Sequence, residues 1–377
     1  MTRRRILVVA MADSIHTARW LDQFRDEPLD VEVFPSTPHR RLHPLVRELA
    51  DGSHAMRLRI SPGMRRLALV WGVADLLLGN RLRGWLLSRR VRQTDPMLIH
   101  ALEIQHAGYL VLAARRALSG RRLVVTNWGS DIYWFGRRAR HRHRIAQVLA
   151  LATDYSAECH RDHRLAVEMG FRGRHLPVIP NAGGLRLPEV GSERPSRRKI
   201  LLVKGYSTFM GRADEVLAVL PRLGSVLDGI EVVAYSADHR TRRAARGLSR
   251  ALGRPVRVVA KHGLTHAEVL ELMETARVYV GYSMSDAIST AMLEAMAHGA
   301  FPIQTDTSCA DEWIIPGETG LLVPYGDADV LLDALRRALT DDALVDDAAV
   351  RNTAVCRERL DADAVRTIAT TFYAAST

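Results

Sequence analysis

The chain has 377 residues, 47% hydrophobic and 25% charged, a composition that excludes a disordered chain, a collagen or a coiled coil and, at about 100–200 residues per domain, points to two domains. Its net charge of +11 is uneven: residues 1–190 hold 31 Arg against 17 acids, or +14, while residues 191–377 hold 22 Lys and Arg against 25 acids, or −3. The longest apolar stretch, 67–79, is too short to span a bilayer, the start of the chain runs into a strand-like Ile6–Val9 with no secretory leader, and Cys159, Cys309 and Cys356 lack a zinc spacing, so reduced thiols in a cytoplasmic protein are expected.

Short aliphatic runs alternate with amphipathic segments of helix length, the pattern of βα units around parallel sheets. In chain order, strands are predicted over 6–10, 31–35, 97–101, 123–127, 154–157 and 175–179, with helices starting near Thr17, Ala107, Arg138 and Arg161. Between Arg57 and Arg92 nine Arg face one acid, Asp75, and are interleaved with Leu67–Trp71 and Trp85–Leu87. That stretch suits an anionic membrane or partner, which would make the protein peripheral at the inner membrane surface and its acceptor membrane-proximal; coding bias toward Arg is the competing explanation. Glycines and prolines over 181–198 then interrupt any periodicity. A second series follows, with strands over 200–203, 230–235, 256–260, 278–281, 301–304 and 321–323 and helices over 212–222, 239–252, 265–275, 289–298 and 327–339. The expected organisation is an α/β protein of two doubly wound, Rossmann-like domains, 1–185 and 199–355, joined by a linker over 186–198 and closed by a helix over 356–377 that returns to the first domain. Sheets of this kind bind ligands beyond the carboxyl ends of their strands, so a site is expected in a cleft between the two.

The segment from Ser283 to Ile303 leaves a strand, turns through small polar residues, enters a helix capped by Ser289 or Thr290 and closes it at Gly299. Backbone N–H groups of Ala287, Ile288, Ser289 and Thr290 at such a helix start suit a phosphate. Asp286 precedes the helix and Glu294 lies two turns along it, so both carboxylates can meet one ligand at different depths; the alternative is that Asp286 caps the helix and Glu294 pairs with an arginine. In Lys204-Gly205 through Arg212 a strand opens into a glycine-containing loop with two cations, a clamp for a leaving diphosphate unless both cations are merely solvated. Base recognition is expected from backbone near His262 and Gly263. In the first half, Ser14 and His16, then His106, then Gly129-Ser130-Asp131 all fall at strand carboxyl ends and are candidates for acceptor contact, although Asp131 could instead cap the following turn. Asp327-x-Asp329 opens a helix and Asp361-x-Asp363 lies in a charged tail, so capping explains both better than metal binding. No Walker A, G-x-G-x-x-G or H-E-x-x-H is present.

The segment Asp286 to Glu294, continued by Glu312-Trp313-Ile314-Ile315-Pro316-Gly317-Glu318-Thr319-Gly320, resembles the E-x7-E region of the retaining glycosyltransferases of family 4, which have the GT-B fold. Asp replaces the first Glu, Ala287 and Ser289 stand where the family has glycines, and Ser308-Cys309 replaces its Gly-Gly pair. The resemblance implies a metal-independent, front-face transfer of a sugar from a nucleotide-diphosphate sugar to an acceptor hydroxyl, with no cofactor. Asp286 would then contact the donor sugar, Glu294 the ribose, and Lys204 and Arg212 the diphosphate, while the first domain would bind the acceptor. A sugar-nucleotide epimerase of the same architecture is the alternative. A nucleic-acid-binding protein is disfavoured, since only 6% of residues are aromatic and no nucleic-acid module is recognised.

Overall fold

The computed structural model describes residues 3–38, 41–62, 67–187, 193–208 and 210–374. The chain divides into two compact units, Met1–Gly184 with Asp363–Thr377, and Leu185–Ala362.

The first unit runs β1 (Arg4–Ala10), α1 (Ile15–Asp22), β2 (Leu29–Pro35), α2 (Pro44–Asp51), β3 (Arg57–Ile60), α3 (Ala68–Leu78), α4 (Arg81–Thr94), β4 (Leu98–Leu102), a π-helical turn Ile104–Gly108 leading into α5 (Tyr109–Ala113), β5 (Arg122–Thr126), α6 (Ala139–Leu151), β6 (Asp154–Ser156), α7 (His160–Glu168) and β7 (Arg174–His175). Its strands form one sheet in the order β3-β2-β1-β4-β5-β6-β7, every pair parallel. The pleat sends alternate residues of β1 to opposite faces: Leu7 and Val9 join a core with Leu87, Leu110 and Val148, and Ile6, Val8 and Ala10 a core with Trp20, Phe24 and Val46. Burial on both faces explains why these strands read as continuous apolar runs.

The second unit runs β8 (Ile200–Lys204), α8 (Ala213–Val219), β9 (Glu231–Ala237), α9 (His239–Leu252), β10 (Arg257–Ala260), α10 (His266–Glu274), β11 (Ala276–Gly281), α11 (Thr290–Ala297), β12 (Phe301–Thr305), β13 (Leu321–Val323), α12 (Ala328–Thr340) and α13 (Asp342–Arg359). Its sheet, β10-β9-β8-β11-β12-β13, is likewise parallel throughout. Asp327 caps α12 by accepting from the N–H of Asp329 and Val330, which accounts for the first D-x-D pattern.

Three details depart from the sequence expectations. The strand expected over 175–179 is only Arg174–His175, because Pro177 and Pro180 cannot donate to a ladder. Of the expected linker, 188–192 lies outside the described residues, whereas Pro195–Arg197 is a 3-10 turn packed into the second unit: Ser196 donates to Asp346 at 2.8 Å, and buried Arg198 donates to the carbonyls of Ala276 and His298. The returning segment starts at Asp363, not 356, because α13 continues to Arg359 and buries Cys356 and Leu360. From there α14 (Ala362–Thr371) lays Val365, Ala369, Phe372 and Tyr373 into the Trp20 core of the first sheet.

Candidate active site

Each sheet reverses its strand order once, between β1 and β4 in the first unit and between β8 and β11 in the second, and such switch points are where open α/β sheets open a crevice. In the second unit Val203 and Val280 are register partners at that point. Lys204 is therefore the last residue of one central strand, and the loop 282–289 leaves the other. The Lys204 ammonium donates to Ser289 Oγ at 3.3 Å and lies 5.3 Å from the centre of the Tyr206 ring. Burial works against its charge, but the surrounding Tyr279, Asp286, Tyr206 and Glu294 more than offset that and hold its pKa above the ordinary lysine value. Of the two hydroxyls available at the helix start, Ser289 is the cap of α11, accepting from the Met292 N–H, and Thr290 is the first helical residue. The first-turn N–H groups of α11 have no partner within the helix, and they start beside this cation.

Gly205 is required by a close approach: a Cβ there would lie 2.4 Å from the Tyr235 carbonyl. The loop behind it is pinned to α9, as Asp238 accepts from Ser207 N–H at 2.8 Å and Thr241 N–H at 3.0 Å. Burial opposes that carboxylate, yet these N–H donors bring its pKa down to about 2. Ahead of α8, Arg212 donates its N–H to the Tyr282 carbonyl, Gly211 bridges Ser283, and Met284 N–H reaches the Met210 carbonyl, so the 205–212 loop is laced to the loop after β11. The Arg212 guanidinium contacts the Met284 sulfur and lies 3.7 Å from Glu215.

Asp286 is half-buried; its Oδ1 accepts from Ala287 N–H at 3.0 Å, and Ala287 and Ile288 are buried behind it. Glu294, 6% exposed on α11, receives His266 Nε2 at 2.8 Å from the half-exposed first residue of α10. An imidazole thus meets Glu294, where the alternative sequence reading expected an arginine. His262 and Gly263 form an exposed turn after β10, with His262 at φ +66° and Gly263 N–H bonded to the Ala260 carbonyl.

At the first unit's switch point, Ser14 caps α1 by accepting from His16 N–H, and exposed His16 sits against Trp128 with ring centres 5.3 Å apart. Glu103 follows β4 at φ +84°, and its buried carboxylate accepts from the N–H of His106 and Ala107 and meets His106 Nδ1 at 3.1 Å. That bond, outweighing partial burial, raises the His106 pKa. Asp131 is 6% exposed, and its Oδ2 accepts from Ile104 and Trp128 N–H, both at 2.9 Å. Burial first, then nearby Glu103, push the Asp131 carboxyl well above the usual range. Those two hydrogen bonds close the turn that precedes Asp131, through Gly129 and Ser130, and tie that turn to the start of the 104–108 segment, whereas the sequence alternative had it capping the turn that follows. An open cavity of about 830 Å³ lies at the opposite, amino end of this sheet, where Arg122 and Arg174 are spent on Asp154.

The family model described as "Glycosyl transferases group 1" matches residues 191–354, and the one described as "Glycosyl transferase 4-like" matches residues 5–155. The chain is a glycosyltransferase of the GT-B fold. Sucrose-phosphate synthase from Thermosynechococcus elongatus superposes with a TM-score of 0.72 at 18% identity, covering 98% of both chains. The Anabaena protein HepE, solved with UDP and glucose, gives 0.68 at 14%, covering 98% of this chain and 99% of its own. A UDP-forming α,α-trehalose-phosphate synthase from Burkholderia xenovorans gives 0.71 at 11%, covering 98% of both. Among curated proteins none matches the sequence significantly.

Among the residues of this glycosyltransferase's candidate sites to which the sequence reading gave no role are His266, Asp238, Glu103 and Trp128. Asp238 was readable, as an Asp that opens a predicted helix directly after a strand. His266 and Trp128 were not, because each reaches its partner across a different βα unit.

Proposed function

We propose that the protein transfers a glycosyl group from a nucleotide-diphosphate sugar to an acceptor hydroxyl, with retention of configuration and without a metal. The observation that carries this reading is the meeting, at one switch point, of the partly buried Lys204 ammonium, the N-terminus of α11 capped by Ser289, and the carboxylates Asp286 and Glu294. Lys204 and the first-turn N–H groups of α11 stabilise charge as it develops on the leaving diphosphate, and Arg212 adds a second cation. Asp286 binds the donor sugar, and Glu294, oriented by His266, accepts from the ribose hydroxyls. As the bond from the anomeric carbon to the diphosphate oxygen breaks, the acceptor oxygen bonds to that carbon on the same face and its proton passes to the departing phosphate. No nucleophile of the enzyme takes part. Gly205, His262 and Gly263 supply backbone groups to the nucleotide, and Ser14, His16, His106, Gly129 and Ser130 are assigned to the acceptor, with Asp131 positioning them. The UDP-containing HepE complexes and the UDP-forming synthase support a uridine nucleotide as the first to try.

The test is incubation with UDP-sugars and GDP-sugars plus candidate acceptors, with nucleoside diphosphate release and the anomeric proton of the product followed by NMR. Diphosphate release with an α-linked product from an α-linked donor, undiminished by EDTA, is the expected result. Inversion of the anomer, or activity that EDTA removes and Mn²⁺ restores, would overturn the mechanism; isomerisation of the donor sugar with no product would identify an epimerase.

A further inference from the structure

The first unit exposes an apolar surface that its fold does not use. On α3, Leu69, Val70, Val73 and Leu77 share one helical face and are 71%, 55%, 59% and 75% exposed, where a globular helix would turn such residues inward. The next helix, α4, presents Arg81, Trp85, Arg89 and Arg92, all exposed and spaced i, i+4, i+8 and i+11 along one face. Of the other described arginines in this stretch, three are engaged by acids of the fold. Arg83 is 2% exposed and ion-paired to Asp75, Arg90 makes a two-pronged contact with Glu32, and Arg59 pairs with Asp30. Of the nine arginines in the sequence cluster, Arg65 and Arg66 lie outside the described residues; among the others, Arg83 and Arg90 are taken up by the fold and drop out of any docking role.

We infer that α3 and α4 dock this protein on an anionic bilayer surface, with the α3 leucines and valines and Trp85 entering the interface and Arg81, Arg89 and Arg92 meeting lipid phosphates. The occupant follows from charge: Asp75, the acid within these helices, already faces Arg83, so the surface is positive and needs a negative partner. A second copy of the chain would bring the same three arginines against themselves. At 11 residues, α3 is about 16 Å long, suited to lying in an interface, and no described helix is long and apolar enough to cross a membrane. Buried Arg83 also donates to the Pro35 and Ser36 carbonyls at the carboxyl end of β2, so the surface borders the rim of the first sheet that carries Ser14 and His106. On the reading above this makes the acceptor membrane-proximal, a clause that rests on the transfer reaction; the docking itself does not.

The test is sedimentation of the full chain with phosphatidylcholine vesicles, with and without phosphatidylserine, at salt of about 50 and about 300 mM. Binding should require phosphatidylserine and weaken with salt. R81S/R89S/R92S should bind about a hundredfold more weakly, at about fivefold per arginine, and L69S/V73S/L77S should also lose binding, with unchanged circular dichroism in both. Wild-type protein left in the supernatant with anionic vesicles at low salt overturns the inference, as does undiminished binding of the arginine variant or equal binding to neutral vesicles. Dimerisation that the leucine variant abolishes, without vesicle binding, overturns it by giving the face to a second copy. Nucleotide binding, followed by thermal shift with UDP, reports separately on the transfer reading.

Discussion

The two switch points have the same topology and opposite chemistry. At the second, the strand ends into a cation: Lys204 is partly buried, its pKa raised by its surroundings, and it lies beside a helix start, a local field suited to a multiply charged anion. At the first, two buried carboxylates, Glu103 and Asp131, are consumed by backbone N–H groups, and what is exposed is imidazole, from His106 and His16, the latter against the partly buried Trp128 ring. One sheet design thus carries two crevices of different charge, because strand order fixes where the crevice lies and the loops fix its charge.

Removing the cation should erase the contrast. Lys204→Met is expected to cut turnover about 10²- to 10³-fold, the effect of losing one donor aimed at developing charge, with a smaller change in nucleotide affinity. Steady-state rates beside calorimetric nucleotide binding measure the two, and an equal loss in both would mean that Lys204 only holds the ground state. Glu294→Gln should weaken nucleotide binding by about 1.5–3 kcal/mol, the range for a charged hydrogen bond. His266→Ala, which spares the carboxylate, should cost less, and calorimetry of the pair checks that order.

Two further predictions probe the first unit. Tyr373→Phe deletes a buried hydroxyl that accepts from Trp20 Nε1 and bonds His100 Nδ1, both at 2.9 Å, and should cost about 1–3 kcal/mol in urea unfolding without changing nucleotide affinity. The smallest effect concerns His106. Its pKa is raised in the folded state, so the stabilisation from Glu103 is complete below the unfolded value of about 6.5 and is lost as pH rises through the folded value. The ring's NMR titration should have its midpoint above that of free histidine, and Glu103→Gln should bring it down.

What could be read from the sequence was what is local in the chain. The loop and helix from Asp286 to Glu294 form one continuous stretch, so the spacing of its two acids and its cap were visible without a fold. The orientation of Glu294 was not, since His266 reaches it from α10, 28 residues earlier, by helix packing. The β3 strand escaped because its four residues alternate outward Arg with inward Leu58 and Ile60 at a sheet edge, too short a run to outweigh the charge. Helix α13 escaped for another reason: its buried positions, Val345, Ala348, Asn352 and Cys356, form a narrow stripe on an otherwise polar and charged helix, too few apolar residues to mark a helical face.

The return of α14 has a consequence for how the protein is made. The second unit is one continuous stretch, Leu185–Ala362, and all its residues leave the ribosome together. The first unit is not: Phe372 and Tyr373, which fill the space beside Trp20 and Phe24, are synthesised after the whole of the second. At about 5–20 residues per second, the nascent first unit waits roughly ten to forty seconds with that aromatic socket open. The half of the enzyme translated first is therefore the half completed last.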